Sequence, residues 1–492
     1  MRLRDLVLSL HPDERIPLFR RVAQAIQDAI RQGRLQGGQA LPGTRVLSEQ
    51  LGVHRATVIQ AIQELEAEGW VITEPNRGTF VASLSPEAAP SFGGRALRPQ
   101  VPPIAPQVVP GFDLPSRLHP LTRADAALID LSDGLPDASL APTEELGKAY
   151  QRALRRHGEA LLQQGEPMGQ ALLRGQLVEW LSERRGLRLT PEQILITRGS
   201  RAALTLIALA LLRDGDSVAV EHPGNRTAWD TIQQSVQVNL EGVPVDGAGL
   251  DVDALRGLLA RRPCKAVYVT PQRQFPTTAT LSPARRSQLL ELAAEHRIPL
   301  IEDDYDSGLS FGDQPLPALA SLDTRGQVIY TTNLGRLLAP GIRLGCIVGS
   351  ATLIDRLARV QRNLEMQGDR VMEWAAAELI RDGELGRQLR KARKVYEGRM
   401  RFLVDRLQGG LGEALEVHPP GGGLALWIKF RQAQVASRWI DAMRIRGLVL
   451  NQPETYFQAS PEPFTRMGFS QCSEEVLGEA VGRMTQALSD IS

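Results

Sequence analysis

Several polar residues of this chain are of types that bind anions. Gly199 and Ser200 stand where an apolar, helix-length segment begins, and backbone N–H groups at a helix start bind phosphate. Arg343 adds a guanidinium that can hold a phosphate with two parallel hydrogen bonds. Asp303 ends the apolar run IPLIED, and Tyr305 follows shortly after it. Groups of these types can bind a carboxylate or phosphate, and each of them, taken alone, also fits a structural function.

The segment TTNLGRLLAPGIRLG, residues 331–345, places Arg336 33 residues after Asp303. A Schiff base with an aldehyde requires a neutral amine. Arginine cannot supply one, because its guanidinium is delocalised and stays protonated above pH 12. The lysines of the chain all lie elsewhere, at positions 148, 265, 391, 394 and 429.

Short apolar runs alternate with helix-length segments from about residue 126 onward, which predicts an α/β domain with a mainly parallel sheet. The last ~120 residues, with the candidate strand LALWIKF (424–430), predict a smaller α+β lobe. The runs expected to form the sheet are QILIT (193–197), SVAVE (217–221), AVYVT (266–270), IPLIED (298–303), QVIYTT (327–332) and CIVGS (346–350).

Length and composition limit the number of domains and the kinds of partner. A chain of 492 residues with 42% hydrophobic content is expected to form two or three folded domains. The formal net charge of +1 gives no general attraction to nucleic acid or membrane. The three cysteines show no metal-binding spacing, and no apolar run is long enough to cross a bilayer. We therefore expect a cytoplasmic protein without a metal site or membrane anchor.

Residues 1–82 have the pattern of a helix-turn-helix. The segment PLFRRVAQAIQDAIRQG carries apolar residues at every fourth position and ends at Gly33. In the next segment, Thr44 is expected to cap a short helix, Gly52 permits a tight turn, and His54 opens a second helix. Near the start of that helix, outward residues would reach base edges and phosphates. The residues expected to bind DNA are Arg45 of the preceding helix and four residues around the start of this one: His54, Arg55, Thr57 and Gln60.

The segment VITEPNRGTFVAS predicts two short strands that form a wing, with Arg77, Gly78 and Thr79 placed to contact a phosphate or the minor groove.

Residues 1–81 carry ten Arg and nine Asp or Glu, so the net charge of this domain does not distinguish a DNA-binding domain from a helical protein-interaction module. The ordered segments LPGTRVLSEQLGVHRATV and EGWVITEPNRGTFV resemble the winged helix of the GntR family of bacterial repressors. That resemblance implies a double-stranded DNA operator, and the chain departs from the family's more frequent serine at Gly43 and His54.

Residues 83–125 are rich in Pro, Ala and Gly and predict a linker. Ordered segments of residues 126–492 resemble fold-type I pyridoxal-phosphate (PLP) aminotransferases. The winged helix, the linker and this domain together resemble the MocR/GabR family of transcription regulators, which implies a homodimer. The segments that carry the resemblance are SDGLPDASLAP (132–142), GEPMGQALLRGQLVEWLSERRG (165–186), ITRGSRAAL (196–204), EHPGNRTAW (221–229), TPQRQFPTTATLSPARR (270–286), IEDDYDSG (301–308), LAPGIRLG (338–345) and FTRMGFS (464–470).

The resemblance also implies functions for individual residues. Position 336 resembles the lysine that forms the Schiff base with PLP, so Arg336 implies that no covalent aldimine forms. Asp303 would pair with the pyridine nitrogen, Tyr305 would reach the ring hydroxyl, and Arg466 stands where the family binds a substrate carboxylate. The phosphate would be bound by a helix start and a neighbouring arginine: Gly199, Ser200, Arg201 and Arg343.

Other positions depart from the family pattern. Asn225 replaces the aromatic residue that would stack on the cofactor ring, and Gln164 replaces a tyrosine that would reach a phosphate across the dimer. Arg273 and Thr278 replace the usual histidine and glycine of the TPxHQxPTG-like loop. Each retained residue, taken alone, also fits a structural function such as a strand end, a turn or an ion pair. Their occurrence together, in the same order as in the family, favours a site inherited from a common ancestor. Such a site need not be active.

Three functions are compatible with these residues. The first is a DNA-binding regulator whose aminotransferase-like domain dimerises and senses a small anion. In it, Arg336 would face the space left by the aldehyde and either pair with Asp303 or hold the ligand. The second is a regulator that binds PLP without a covalent bond. The third is an active aminotransferase with an attached DNA-binding domain, which the arginine at position 336 argues against.

Overall fold

The computed structural model describes residues 10, 16–74, 77–82, 128–306, 308–312 and 317–491. The chain divides into two compact units, Met1–Ser116 and Arg117–Ser492. The predicted linker, residues 83–125, lies outside the described residues, and the predicted domain boundaries therefore stay predictions.

The first unit is a winged helix-turn-helix built around one apolar core. Apolar residues of its three helices and two strands pack together, and Val22, Ile26, Leu47, Val58 and Leu65 are fully shielded from solvent. The strands pair antiparallel, with Val71 opposite Val81. The elements are α1 Leu18–Arg31, α2 Thr44–Leu51, α3 Arg55–Ala67, β1 Val71–Glu74 and β2 Gly78–Val81.

The start of α2 differs from the sequence prediction that Thr44 caps this helix. Thr44 is the first helical residue, and Gly43 occupies the N-cap position. Glycine has no side chain with which to cap, and the hydroxyl of Thr44 instead accepts a hydrogen bond from Arg55 Nε at 3.1 Å. The turn after α2 follows the prediction, because Gly52 adopts φ 64° and ψ 32°, the left-handed conformation that glycine allows.

The second unit contains an eight-stranded sheet in the order β4-β11-β10-β9-β8-β5-β6-β7. Its centre is parallel, from β10 through β9, β8 and β5 to β6, while β11 and β7 run antiparallel to their neighbours. All six apolar runs expected to form the sheet do so. The strands are β4 Ile194–Thr197, β5 Ser217–His222, β6 Asn239–Asp246, β7 Gly249–Leu250, β8 Ala266–Val269, β9 Leu300–Asp304, β10 Val328–Thr332 and β11 Gly345–Val348.

Helices cover both faces of this sheet, which explains why all residues of β8, β9 and β10 are buried. Residues of α6, α7 and α12 form the core on one face, and residues of α8, α9 and α10 form it on the other. These helices are α6 Ser200–Leu211, α7 Arg226–Ser235, α8 Val252–Arg261, α9 Pro283–His296, α10 Leu319–Leu322 and α12 Ala351–Asn363.

The remaining elements include those of the smaller lobe predicted for the last part of the chain. The lobe has an antiparallel sheet of order β12-β13-β15, and a short parallel pair joins β3 to β14. These elements are β3 Ile129–Asp130, α4 Thr143–Leu162, α5 Ala171–Arg185, α11 Gly335–Leu338, α13 Arg370–Arg381, α14 Glu384–Leu411, β12 Leu415–Val417, β13 Ala425–Phe430, α15 Ala436–Ile445, β14 Leu448–Val449, β15 Phe464–Gly468 and α16 Glu474–Ile491.

The described residues include neither a membrane-spanning helix nor a metal-binding cluster. None of their helices has both the length and the apolar composition needed to cross a membrane. Nor do these residues contain a group of three or more His, Cys, Asp or Glu side chains placed to hold a metal ion.

Candidate functional site

The residues expected to contact DNA lie on the surface of the first unit. His54 occupies the N-cap position of α3 in an extended conformation, so the helix begins at Arg55. His54, Arg55 and Gln60 are exposed, and Thr57 is half-buried. The opposite side of α3 is buried, because Val58, Ala61, Ile62 and Leu65 belong to the core. The helix therefore presents its polar N-terminal residues to solvent while its apolar side is fixed.

The three arginines of this surface differ in their partners. Arg45 lies 3.7 Å from Glu49 on the same helix, and Arg77 forms an ion pair with Glu74. Within the part of the chain that the structure describes, Arg55 has no acidic partner, and its Nε is held by Thr44. A guanidinium that is positioned but not neutralised is suited to a phosphate or a base edge.

The wing residues follow the strand pairing of β1 with β2. Gly78 pairs with Glu74 and has φ 116°, a conformation that suits glycine. Thr79 is half-buried and its hydroxyl lies 3.4 Å from that of Thr73. Arg77 packs 5.7 Å from the centre of the Phe80 ring, which directs its side chain along the wing. The wing tip, residues 75–76, lies outside the described residues.

In the second unit, a cavity of about 250 Å³ lies where β9 and β10 end, which we call the central cavity. The carboxyl ends of parallel strands are the usual place for a ligand in an open α/β sheet. Eight of the nine predicted ligand residues line it: Gly199, Ser200, Arg201, Asn225, Asp303, Tyr305, Arg336 and Arg343. The ninth, Arg466, is fully buried beside it, with its guanidinium 4.5 Å from the Phe275 ring centre and 5.9 Å from that of Tyr305.

The helix start in the central cavity has the geometry of an anion site. Gly199 is the N-cap residue of α6, and its φ of 85° turns the chain from β4 into the helix. Arg343 lies over this turn, since two of its guanidinium nitrogens are 4.0 Å from the place where a Cβ on Gly199 would stand. The first N–H groups of α6 and the Arg343 guanidinium can therefore bind the same phosphate.

Asp303 is buried at the end of β9 and is held by neighbouring hydroxyls. Tyr268 Oη donates a 2.7 Å hydrogen bond to Asp303 Oδ2. Burial raises the pKa of Asp303 to about 6, and the nearby Asp304 carboxylate adds to the rise. The hydrogen bond from Tyr268 and the charge of Arg336 both oppose it. The carboxyl is thus partly protonated in mildly acidic solution, which makes the cavity more positive there.

Arg336 points into the central cavity, and it does not form an ion pair with Asp303, which was one of the two alternatives expected for it. Its Nη1 donates to the Gly134 carbonyl at 2.8 Å and to Asp306 Oδ1 at 3.2 Å. Its Nη2 lies 3.7 Å from Asp133. Asp303 already accepts from Tyr268, whereas Asp306 lies beyond Tyr305 within reach of the guanidinium. The arginine is only 14% exposed, so its charge is balanced mainly by the carboxylates of Asp133 and Asp306.

Several buried polar atoms around the central cavity have no hydrogen-bond partner among the residues that the structure describes. Arg466 Nε lies 3.9 Å from Asp133 Oδ1, and Arg273 Nε lies 3.7 Å from Asp306 Oδ2. Such distances are too long for hydrogen bonds, and unsatisfied buried polar groups are costly. A polar ligand in this place would satisfy them. The atoms are Asp133 Oδ1, Arg273 Nε, Tyr305 Oη, Asp306 Oδ2, Arg466 Nε and Arg466 Nη2.

Four residues that shape the site are missing from the set predicted by sequence. Asp133, Tyr268 and Asp306 have no predicted function, and Arg273 is noted only as a departure from a family pattern. Asp306 has a sequence signal, since it stands three residues after Asp303 in IEDDYDSG. Asp133 and Tyr268 come from distant parts of the chain, and their contact with the site depends on the tertiary fold.

Asn225 has a structural function in addition to its place in the cavity wall. It is the N-cap residue of α7, and its side-chain oxygen accepts a hydrogen bond from the Ala228 N–H at 3.3 Å. An Asn side chain at an N-cap satisfies one of the free N–H groups of a helix. Capping of α7 therefore explains the asparagine at this position of the central cavity without any contact to a ligand.

The cavity fits part of the PLP molecule. A phosphate fits the start of α6 with Arg343, and Tyr305 Oη and Arg466 offer unsatisfied polar atoms. The amine that would attach the aldehyde is missing, because no lysine is among the lining residues. The residues thus suit a phosphate-bearing ligand held by charge and hydrogen bonds.

Three buried carboxyl groups of the second unit predict an unusual pH dependence of stability. Burial raises the pKa of Glu221, Glu302 and Glu373 to about 7, against about 4.3 in an unfolded chain. Between these values the folded protein binds protons that the unfolded chain does not. The free energy of unfolding therefore falls as pH rises from about 4.5 to about 7. Each group is expected to contribute about 1 kcal/mol to the difference between pH 6 and pH 8.

The measurement is urea unfolding of the parent and of Glu221→Gln at pH 6 and pH 8. Glutamine keeps an acceptor for Thr270 but cannot ionise, so the variant should lose about 1 kcal/mol of the parent's difference between the two pH values. An equal difference in both proteins would contradict the assignment of this pH dependence to Glu221.

Comparisons with known proteins agree with this architecture. The family model for "Aminotransferase class I and II" matches residues 126–484, and the model for "Bacterial regulatory proteins, gntR family" matches residues 18–81. The chain is 28% identical over 496 residues to the "Probable rhizopine catabolism regulatory protein MocR" of Rhizobium meliloti, covering 98% of this chain and 96% of the relative. It is 26% identical over 473 residues to the "Uncharacterized HTH-type transcriptional regulator YdeL" of Bacillus subtilis strain 168, covering 96% and 97%.

A solved structure supports the fold of the second unit. The crystal structure of LysN, the α-aminoadipate aminotransferase of Thermus thermophilus complexed with N-(5'-phosphopyridoxyl)-L-leucine, matches with a TM-score of 0.69 at 26% identity, covering 74% of this chain and 93% of that one. The chain therefore belongs to the aminotransferase class I and II family, and its N-terminal winged helix matches the gntR-family model.

Proposed function

We propose that this protein is a DNA-binding transcription regulator whose aminotransferase-like domain binds a small anionic ligand without covalent PLP chemistry. The observation that carries the proposal is that one chain has both an exposed recognition helix and a central cavity whose described lining residues include arginine and no lysine. The winged helix supplies the DNA contacts, and the second unit supplies the ligand site.

DNA contact is assigned to the polar residues around the start of α3 and to the wing. Arg55 is exposed, held by Thr44 and without an acidic partner among the described residues. Its neighbours in the same surface are Arg45, His54, Thr57, Gln60, Arg77, Gly78 and Thr79. In a helix-turn-helix, these are the positions that reach phosphates and base edges.

The ligand is assigned to the central cavity, where Arg336 stands at the position of the family's Schiff-base lysine. Four arginines, at 273, 336, 343 and 466, surround three carboxyl groups, at 133, 303 and 306. The excess positive charge and the unsatisfied nitrogens of Arg466 favour a carboxylate or phosphate ligand. Because none of these groups is a neutral amine, binding relies on charge and hydrogen bonds alone.

Noncovalent PLP is the second candidate for the ligand. The start of α6 and Arg343 favour it, because together they can bind the phosphate. Asn225 does not provide an aromatic surface for the ring, so affinity is expected to rest on the phosphate. An active aminotransferase would require an amine in the cavity, and the lining residues do not include one.

We further propose that the protein works as a homodimer in the cytoplasm. Two copies of the winged helix would then read two half-sites of one operator, in keeping with the symmetry of most soluble oligomers.

The proposal is tested by selection of DNA from a random duplex pool with the full-length protein. We expect enrichment of one sequence family, and binding of the selected duplex should weaken about a hundredfold between 50 and 200 mM salt if about four phosphates are contacted. Fluorescence anisotropy measures both effects, with an unselected duplex as the control. A pool that stays unenriched over successive rounds would contradict sequence-specific DNA binding.

A further inference from the structure

A second cavity, of about 350 Å³, lies next to the central cavity in the same unit, and we call it the arginine cavity. The two cavities share Asp303 and Tyr305 as lining residues. The arginine cavity extends from there to helices α5 and α14, which lie about 200 residues apart in sequence. Its arginines are Arg184, Arg185, Arg273, Arg390 and Arg393.

Two of these five arginines have a carboxylate partner among the described residues. Arg185 pairs with Asp304 at 2.5 Å, and Arg273 lies 3.7 Å from Asp306. Among the residues that the structure describes, no carboxylate lies within ion-pair distance of Arg184, Arg390 or Arg393. Three positive charges around one cavity are therefore left without an acidic side chain to balance them.

Arg184 is held in place at the wall of the arginine cavity. Its guanidinium carbon lies 4.0 Å above the centre of the Trp180 ring, one turn earlier on α5. Its Nε is buried, and within the described part of the chain it has no hydrogen-bond partner. The stacking fixes the plane of the guanidinium, and the buried Nε retains a hydrogen-bond capacity that a ligand could use.

Gly386 brings Arg184 and Arg390 together. A Cβ on this glycine would stand 3.2 Å from Arg184 Nη2 and 3.5 Å from Arg390 Nη1. The two nitrogens are thus at most about 6.7 Å apart, a separation that one tetrahedral oxyanion can bridge with hydrogen bonds of ordinary length. A larger residue at this position of α14 would intrude between them.

The electrostatics of the cluster point in the same direction. Burial lowers the pKa of Arg184, and repulsion from Arg390, Arg393 and Arg185 lowers it further, against the opposing attraction of Glu183. Repulsion among like charges destabilises the cluster, and a bound anion would remove it. The cluster therefore gains more from an anion than an isolated surface arginine would.

We propose that the arginine cavity is a second ligand site, which binds the phosphoryl group of a small molecule between Arg184, Arg390 and Arg393. A phosphate offers more acceptor oxygens than a carboxylate and so can satisfy three guanidinium groups together. The cavity volume leaves room for the organic part of a phosphate ester. The site is separate from the start of α6, and its ligand approaches Asp303 and Tyr305 from the direction of α5 and α14.

The test is calorimetric titration of the full-length protein with inorganic phosphate at constant ionic strength. Arg343→Gln is used as the background, so that the start of α6 contributes little to the binding. In this background we expect one saturable phosphate site per chain. Adding Arg390→Gln and Arg393→Gln should weaken it by about tenfold or more, because two charge-assisted hydrogen bonds are removed.

The matched control is Arg387→Gln, which removes the same charge from α14 at an exposed residue paired with Glu384. This variant should bind phosphate as the background does. Absence of phosphate binding, or an equal loss in the control, would overturn the proposal. A 20-base-pair DNA duplex serves as competitor, and displacement of phosphate by the duplex through the same arginines would assign them to the DNA backbone instead.

Discussion

Replacing Arg336 with lysine is expected to give the protein a PLP adduct that borohydride reduces to a stable product. The side chain at this position already enters the central cavity, where it contacts Gly134 and Asp306. Lysine would bring a primary amine to the same space, and such an amine can attack the aldehyde of PLP once it loses its proton. We therefore expect an absorption band of the aldimine in Arg336→Lys, together with a mass increase after reduction.

The control for this prediction is Arg336→Met, which removes the charge without providing an amine. It should show neither the band nor the mass increase. A second variant, Arg336→Lys with Arg343→Gln, should need a higher PLP concentration, since it lacks the guanidinium that lies over Gly199 and can hold the phosphate. If Arg336→Lys forms no adduct at any PLP concentration, the cavity does not place this residue near the aldehyde, and the assignment of position 336 is wrong.

Replacing Arg55 with alanine is expected to weaken binding to the selected duplex by about tenfold or more. Arg55 is exposed at the start of α3 and has no acidic partner among the described residues, so its full charge is available to DNA. Loss of a hydrogen bond to a charged group costs about 1.5 to 3 kcal/mol. If Arg55 neutralises a phosphate, the salt dependence should also become shallower, by about 0.9 in the log–log slope for each phosphate that the variant leaves free.

Arg77→Ala is expected to have a smaller effect, because Glu74 already neutralises part of the Arg77 charge. The control is Arg20→Gln, which removes an exposed arginine paired with Glu64 in the C-terminal half of α3. Fluorescence anisotropy across a salt series distinguishes these variants. Affinities of Arg55→Ala and Arg77→Ala equal to that of the parent would place the DNA-reading surface elsewhere.

The sheet of the second unit could be predicted from the sequence where its strands are buried on both faces. β5, β8, β9 and β10 are continuous apolar runs because helices cover them on each side. β6 is not among the predicted strands, since its sequence NLEGVPVD contains Gly and Pro and alternates between exposed and buried residues. Its place in the sheet follows from pairing with β5 rather than from its own composition.

The ligand residues were predictable only through the order of family motifs. Asp303 lies near the end of β9 and Tyr305 directly follows it, which is a sequence signal, but their burial and hydrogen bonds are not visible in the sequence. Arg336 faces the central cavity, but its hydrogen-bonded carboxylate is Asp306, because Asp303 already accepts a hydrogen bond from Tyr268. Thr278 adopts φ 64°, a left-handed conformation at the position where the family usually has glycine.

The arginine cavity had no signal in the sequence. Arg184 ends a helix and Arg390 lies near the start of another, and an arginine at either place is ordinarily a solvated residue. Their proximity depends on the packing of α5 and α14 and on the small size of Gly386. Sequence patterns report which side of one element is buried, and they do not report which distant elements meet.

The central claim, that the aminotransferase-like domain makes no covalent bond with PLP, is tested most directly by the intact mass of the full-length parent. The protein is incubated with PLP, reduced with borohydride and digested to locate any modified residue. We predict no modified residue among the peptides that line the central cavity, whether or not PLP binds reversibly. A stoichiometric phosphopyridoxyl group attached within that cavity would contradict the account.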